Sequence, residues 1–180
     1  MALLVISVAS LIFKARYKGN WPILQIECIE EFVFYALVYY YLFKNIVIKK
    51  TIILSIFLVS LLFLINAVFF QPFLKAFPTN VNLAAQILFT IFSLLLFKEM
   101  LLYPLKINIK KQSAFWFNTA ILFYATTMFF TLGITNYIAE HMPTDKFIGY
   151  FWYFIIYLFH IFIGISLIAD NKQVNAADTV

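Results

Sequence analysis

The chain has 180 residues, of which 64% are hydrophobic and only 12% are charged, and its formal net charge is +5. Soluble domains carry roughly 45–50% apolar and about 25% charged residues, so this composition excludes an ordinary water-soluble domain. The lysines stand in short loops between apolar runs, a pattern typical of membrane topology rather than of nucleic-acid binding. With Cys28 as its single cysteine, the sequence excludes an intrachain disulfide and a cysteine-based metal cluster.

The first predicted span, residues 1–17, is apolar as far as Phe13 and then contains Lys14 and Arg16. As a helix, its apolar part measures only about 20 Å, whereas the hydrocarbon core of a bilayer is about 30 Å thick. The long basic side chains can reach the interface and so extend the span. A signal peptide is the alternative, although no basic residue precedes the apolar core.

The second predicted span, residues 23–43, differs from all the others because it carries Glu27, Glu30 and Glu31. Burial of a carboxylate in hydrocarbon is costly, so an intramembrane acid indicates a functional site. At about 100° per residue, the three glutamates share one face of the helix. We expect this face to point toward the other helices rather than toward lipid.

The remaining predicted spans are long, uniformly apolar runs without the alternation of a barrel strand, which favours helices. We predict an all-α fold, a polytopic transmembrane helix bundle of five to six spans forming a single domain over residues 1–180. These remaining spans are residues 51–70, 81–101, 113–136 and 147–169.

The distribution of basic residues predicts the orientation. Loops 44–50 and 98–111 fall on one side of the membrane with the C-terminal tail, and together they hold more Lys and Arg than the opposite loops, 14–22, 71–80 and 139–146. The positive-inside rule therefore predicts that both termini are cytoplasmic.

Polar residues in this topology form two predicted layers. Glu27 lies about 6 Å, Gln86 about 6–8 Å and Glu31 about 12 Å from the outer face, at 1.5 Å per residue, with Asn66 near the same level. This outer layer predicts a pocket for a cation, a proton or a small polar ligand. Hydrogen bonding between helices is the alternative, and such bonds average well under ~1 kcal/mol.

The inner layer contains Asn118 and His160. A hydrogen bond between these two side chains is one interpretation, and pH sensing by His160 is the other. A lone histidine does not predict a metal site, because ligands come in sets. The sequence also lacks HExxH, GxSxG, Walker-loop and CxxC motifs. We therefore predict no catalytic residue, no metal, no cofactor and no enzymatic activity.

Three segments are specific enough for comparison with known families. They are residues 31–41 (EFVFYALVYYY), 97–102 (FKEMLL) and 113–124 (SAFWFNTAILFY). Over residues 23–168 the chain resembles a family of polytopic inner-membrane proteins of Bacteroidota, which is itself similar to seven-helix membrane sensor modules. The resemblance implies a bacterial inner-membrane location and a sensory role. The chain departs from the family in its span number and at Gln86, where the family often has an acid.

The first functional prediction is accordingly a membrane sensory or signalling-accessory protein. Its expected partners are the lipid bilayer and a membrane or cytoplasmic protein, with no nucleic acid. A small transporter or transporter subunit is the first alternative, although Gly133, Gly149 and Gly164 lie toward helix ends rather than interrupting a span. A structural subunit of a membrane complex is the second alternative.

Overall fold

The computed structural model describes residues 21–73, 77–103, 108–141 and 147–177. The predicted span 1–17 lies outside these ranges. The chain divides into two compact units, Met1–Ala85 and Gln86–Val180.

Every regular element in the described ranges is helical, which confirms the all-α prediction. The elements are α1 (Trp21–Leu42), α2 (Ile46–Phe69), α3 (Thr79–Leu102), a 3₁₀ turn (Ile109–Lys111), α4 (Ser113–His141) and α5 (Phe147–Ala177).

Four of these helices are long and apolar enough to cross a membrane, by length and composition. The helix α1 has a comparable length, but its three glutamates set it apart from the four. The predicted total of five to six spans thus stays a prediction. The apolar segments are Ile46–Phe69, Thr79–Leu102, Ser113–Ile134 and Tyr150–Asp170.

In the first unit, α1 packs against α2. Four side chains at intervals of three or four residues form the packed face of α1, as expected for one stripe of a helix. On α2, Ile52, Ser55 and Val59 are buried, whereas large apolar side chains between them are exposed. Such an exposed apolar surface suits contact with lipid. The packed face of α1 consists of Phe32, Ala36, Tyr39 and Phe43, each at most 1% exposed.

In the second unit, α4 packs against α5. The rings of Tyr124 and Phe159 lie 4.8 Å apart between centroids, and Trp116 stacks on Phe162 at 6.2 Å. Ala125, on α4 next to Tyr124, is fully buried. Aromatic pairs of this geometry contribute roughly 0.5–1.5 kcal/mol beyond their burial.

The helix ends differ from the predicted spans by five or more residues at three places, one of which is the end of α4 at His141 rather than at residue 136. Helix α2 begins at Ile46, because the Asn45 side chain accepts a hydrogen bond from the Val47 N–H at 2.8 Å and caps the helix. Lys49 and Lys50 consequently lie in the helix rather than in the preceding loop. Helix α5 continues to Ala177, through part of the predicted polar tail.

Candidate functional site

Four amide side chains form an amide cluster where α2 ends and α3 begins: Gln25, Asn66, Gln71 and Asn80. Asn66 is only 2% exposed. Its Nδ2 donates to Gln71 Oε1 at 3.0 Å, and its Oδ1 accepts from Asn80 Nδ2 at 3.0 Å. Gln71 Oε1 also accepts the Asn80 backbone N–H at 3.2 Å. An amide side chain can both donate and accept, so these residues link the two helices across the turn.

The local backbone explains why the cluster forms at this point. The N–H groups of Phe70 and Gln71 both donate to the Asn66 carbonyl, at 3.0 and 2.7 Å, and thereby close the last turn of α2. Pro72 has no N–H and cannot continue the helix. Gln25 Nε2 lies 3.4 Å from the carbonyl oxygens of Gln71 and Pro72. The first turns of α1 are therefore linked to the turn that follows α2.

The carboxylates of α1 lie on a different side of the helix. Glu27, Glu30 and Glu31 are half-buried, and on the same side Phe34 is 58% and Tyr41 78% exposed. At 3.6 residues per turn, the glutamates lie roughly 110–150° around the helix from the centre of the packed face. The carboxylates thus lie outside the most deeply buried stripe of α1, and the expectation that they face other helices stays a prediction. Aromatic and small side chains occupy that stripe instead, because they lose no hydration of charge on burial.

The four residues predicted for the outer layer therefore have different environments. Asn66 belongs to the amide cluster, whereas Glu27 and Glu31 lie on the carboxylate side of α1. Gln86 is in the second unit, is 2% exposed, and its carbonyl accepts the Thr90 hydroxyl at 2.9 Å. The grouping of Gln86 with the other three residues stays a prediction.

The two residues predicted for the inner layer also have different partners. Asn118 is fully buried, and its Nδ2 donates to the Ser93 carbonyl at 2.9 Å, which links α4 to α3. His160 is exposed, and its Nδ1 lies 2.7 Å from the Ile156 carbonyl of its own helix. The predicted hydrogen bond between Asn118 and His160 is therefore not formed, because α5 turns the imidazole outward.

Comparisons with known proteins identify no relative of this chain. No family model, curated protein or solved structure matches the chain. The resemblance to the Bacteroidota family thus stays a prediction, and any function must follow from the residues themselves.

Several polar contacts were not predicted from the sequence. Gln25, Gln71 and Asn80 are ordinary polar residues near predicted span ends, and only the presence of amides on both sides of a proline-containing turn could have indicated a cluster. Ser113 and Ser166 were also missed. Their hydroxyls lie 3.1 Å apart, and Ser166 Oγ donates to the Ser113 carbonyl at 3.0 Å, which links α4 to α5.

The two kinds of polar group suit different chemistry. The amide cluster holds backbone segments together, since its members bond to one another and to main-chain groups. The carboxylates of Glu27 and Glu31 are half-buried and can meet a cation or a hydrogen-bond donor. Within the described ranges, no group of three or more His, Cys, Asp or Glu side chains is placed to hold a metal ion.

Proposed function

We propose that the chain is a multi-pass integral membrane protein with five or six spans that serves as a sensory or signalling-accessory module. In this proposal it resides in a bacterial inner membrane, and both termini face the cytoplasm. Four long apolar helices support the membrane location. The excess of Lys and Arg in loops 44–50 and 98–111 supports the orientation.

One observation carries the sensory role. Glu27 and Glu31 are half-buried on a helix of membrane length, on the side away from the packed face. A carboxylate at membrane depth costs free energy. Its presence there therefore indicates a role, such as binding a ligand or a partner. A small organic cation or a donor-bearing partner helix would meet both carboxylates, which lie one helical turn apart.

The amide cluster would transmit the effect of such binding to the rest of the first unit. Gln25 lies within one turn of Glu27 and contacts the carbonyl oxygens of Gln71 and Pro72. A small rotation of α1 on ligand binding would change these contacts. The turn after α2 would then respond, and with it the two helices that it joins.

The test uses the full chain in lipid nanodiscs and the paired variant Glu27→Gln/Glu31→Gln. Glu99→Gln is the matched control, because Glu99 is a half-buried acid on α3 outside the carboxylate side of α1. Thermal unfolding is measured with sodium, ammonium, guanidinium and polyamine salts at constant ionic strength. Natively purified protein is examined in parallel for copurifying proteins.

A sensory role predicts that one class of cation raises the thermal stability of wild type and Glu99→Gln, or that both proteins retain a regulatory partner. The paired variant should show neither the stabilisation nor the retained partner. The proposal is wrong if all three proteins respond identically to every salt and retain the same partners.

A structural subunit is the second candidate, because α5 carries an exposed tyrosine stripe. Tyr150, Tyr153 and Tyr157 are 70%, 63% and 69% exposed at helical spacing. Tyr157 lies about 15 Å along α5 from Phe147, which is deep for an interfacial aromatic belt. A hydroxyl at this depth favours a hydrogen-bonding partner helix. A structural subunit would copurify at fixed stoichiometry, and the paired glutamate variant would leave that stoichiometry unchanged.

A further inference from the structure

Lysine and tyrosine side chains are concentrated at the turn between α1 and α2. We define the basic corner as Tyr40, Tyr41, Lys44, Lys49 and Lys50. Lys44 and Lys50 are exposed, and Tyr41 is 78% exposed. Lys49 Nζ lies 5.0 Å from the centroid of the Tyr40 ring, within the range of a cation–π interaction. Positive charge and aromatic surface are thus presented together.

The backbone holds the basic corner in a defined conformation. Phe43, which is 1% exposed, anchors the end of α1, and its N–H donates to the Tyr39 carbonyl at 3.0 Å. Asn45 then caps α2 through the Val47 N–H, and the Lys49 N–H donates to the Asn45 carbonyl at 3.1 Å. The lysines therefore extend from ordered backbone, which lowers the ordering cost of binding.

The surroundings of the basic corner combine a stretch of sequence without acidic residues with apolar surface. The sequence contains no Asp or Glu between Glu31 and Glu99. Ile53 and Leu54, about one turn further along α2 than Lys50, are 48% and 56% exposed. Exposed apolar side chains beside lysines are typical of the boundary between acyl chains and headgroups, where lysines extend toward the polar layer.

We propose that the basic corner binds the headgroup of an anionic phospholipid. The ammonium groups of Lys44, Lys49 and Lys50 attract the phosphate, and the Tyr41 hydroxyl can donate a hydrogen bond to it. Ile53 and Leu54 contact the acyl chains of the same lipid, which favours a lipid over a soluble phosphate. Basic segments beside membrane helices bind anionic lipid in this way.

The test compares lipid retention by the full chain in nanodiscs of equimolar phosphatidylglycerol and phosphatidylcholine, read by native mass spectrometry. The variant is Lys44→Gln/Lys49→Gln/Lys50→Gln, and the matched control replaces the same lysines by arginine, which keeps the charge. A second pair, Tyr40→Leu and Tyr40→Phe, separates loss of the ring from loss of the hydroxyl. Thermal unfolding in each nanodisc verifies that every variant is folded.

We expect wild type and the arginine control to retain phosphatidylglycerol over phosphatidylcholine about 5- to 30-fold more strongly than the glutamine variant, as the strength of one or two lysines at an anionic surface predicts. Tyr40→Leu should weaken retention and Tyr40→Phe should not. Equal retention of both lipids by wild type, or unchanged selectivity in the glutamine variant, would overturn the proposal. Adding inorganic phosphate should leave the bound phosphatidylglycerol in place, and its displacement would indicate a soluble-anion site instead.

Discussion

The amide cluster makes a quantitative prediction for the pair Asn66 and Asn80. Asn66→Ala removes the hydrogen bonds to Gln71 Oε1 and from Asn80 Nδ2, both 3.0 Å long. At about 0.5–1.5 kcal/mol for each bond, the variant should lower the free energy of unfolding by about 1–3 kcal/mol. Asn80→Ala loses one of the same bonds. Because the double variant loses that shared bond only once, the two effects should be non-additive by about 1 kcal/mol.

The assay is reversible unfolding of the full chain in mixed micelles with increasing fractions of dodecyl sulfate, followed by circular dichroism. Thr51→Ala is the control, because Thr51 is exposed and its hydroxyl bonds only within its own helix, to the Val47 carbonyl at 3.1 Å. This control should change stability by less than ~0.5 kcal/mol. Additivity of the two asparagine variants within ~0.3 kcal/mol would refute the shared hydrogen bond.

Three further predictions use the same unfolding assay. Asn118→Leu should lower stability by about 1–2 kcal/mol, because it removes the buried hydrogen bond to the Ser93 carbonyl; an unchanged midpoint would contradict this. Ala36→Leu should lower the free energy of unfolding by about 1–3 kcal/mol because it overpacks the packed face of α1, whereas Leu37→Ala at the neighbouring exposed position should lower it by less than ~0.5 kcal/mol. Equal effects of the two variants would be inconsistent with that packing. His160→Phe should change stability by less than ~0.5 kcal/mol, and its effect should add to that of Asn118→Leu; measurable coupling would show that the two side chains interact.

Length and hydropathy were sufficient to predict the helical fold. Long apolar runs that lack the alternation of barrel strands favour helices at membrane depth, so the helical class and the four apolar segments follow from length and hydropathy pattern. The start of α2 was harder to predict from the sequence. The apolar run suggested residue 51, but Asn45 supplies the cap and brings Lys49 and Lys50 into the helix. A single capping residue thus outweighs two charges in setting a helix boundary.

The partners of the polar residues were harder to predict, for two physical reasons. Asn118 bonds to a backbone carbonyl, and every residue has one, so no side-chain pattern identifies Ser93 as its partner. The helix α1 carries aromatic residues on both sides, so periodicity does not reveal which side is packed. The sequence therefore did not identify Phe32 and Ala36 as part of the most deeply buried stripe of α1.

The arrangement of polar groups around α1 has an electrical consequence. The amide of Gln25, which is fully buried and contacts the turn after α2, carries no net charge, so an applied voltage exerts no net force on it. In the proposed topology, in which α1 also spans the bilayer, Glu27 and Glu31 would each, while ionised, couple to the transmembrane potential by up to about 2.3 kcal/mol per 100 mV. A voltage step across the bilayer would then act mainly on the carboxylate side of the helix, and only weakly, through its dipole, on the Gln25 amide that links the first turns of α1 to the turn after α2.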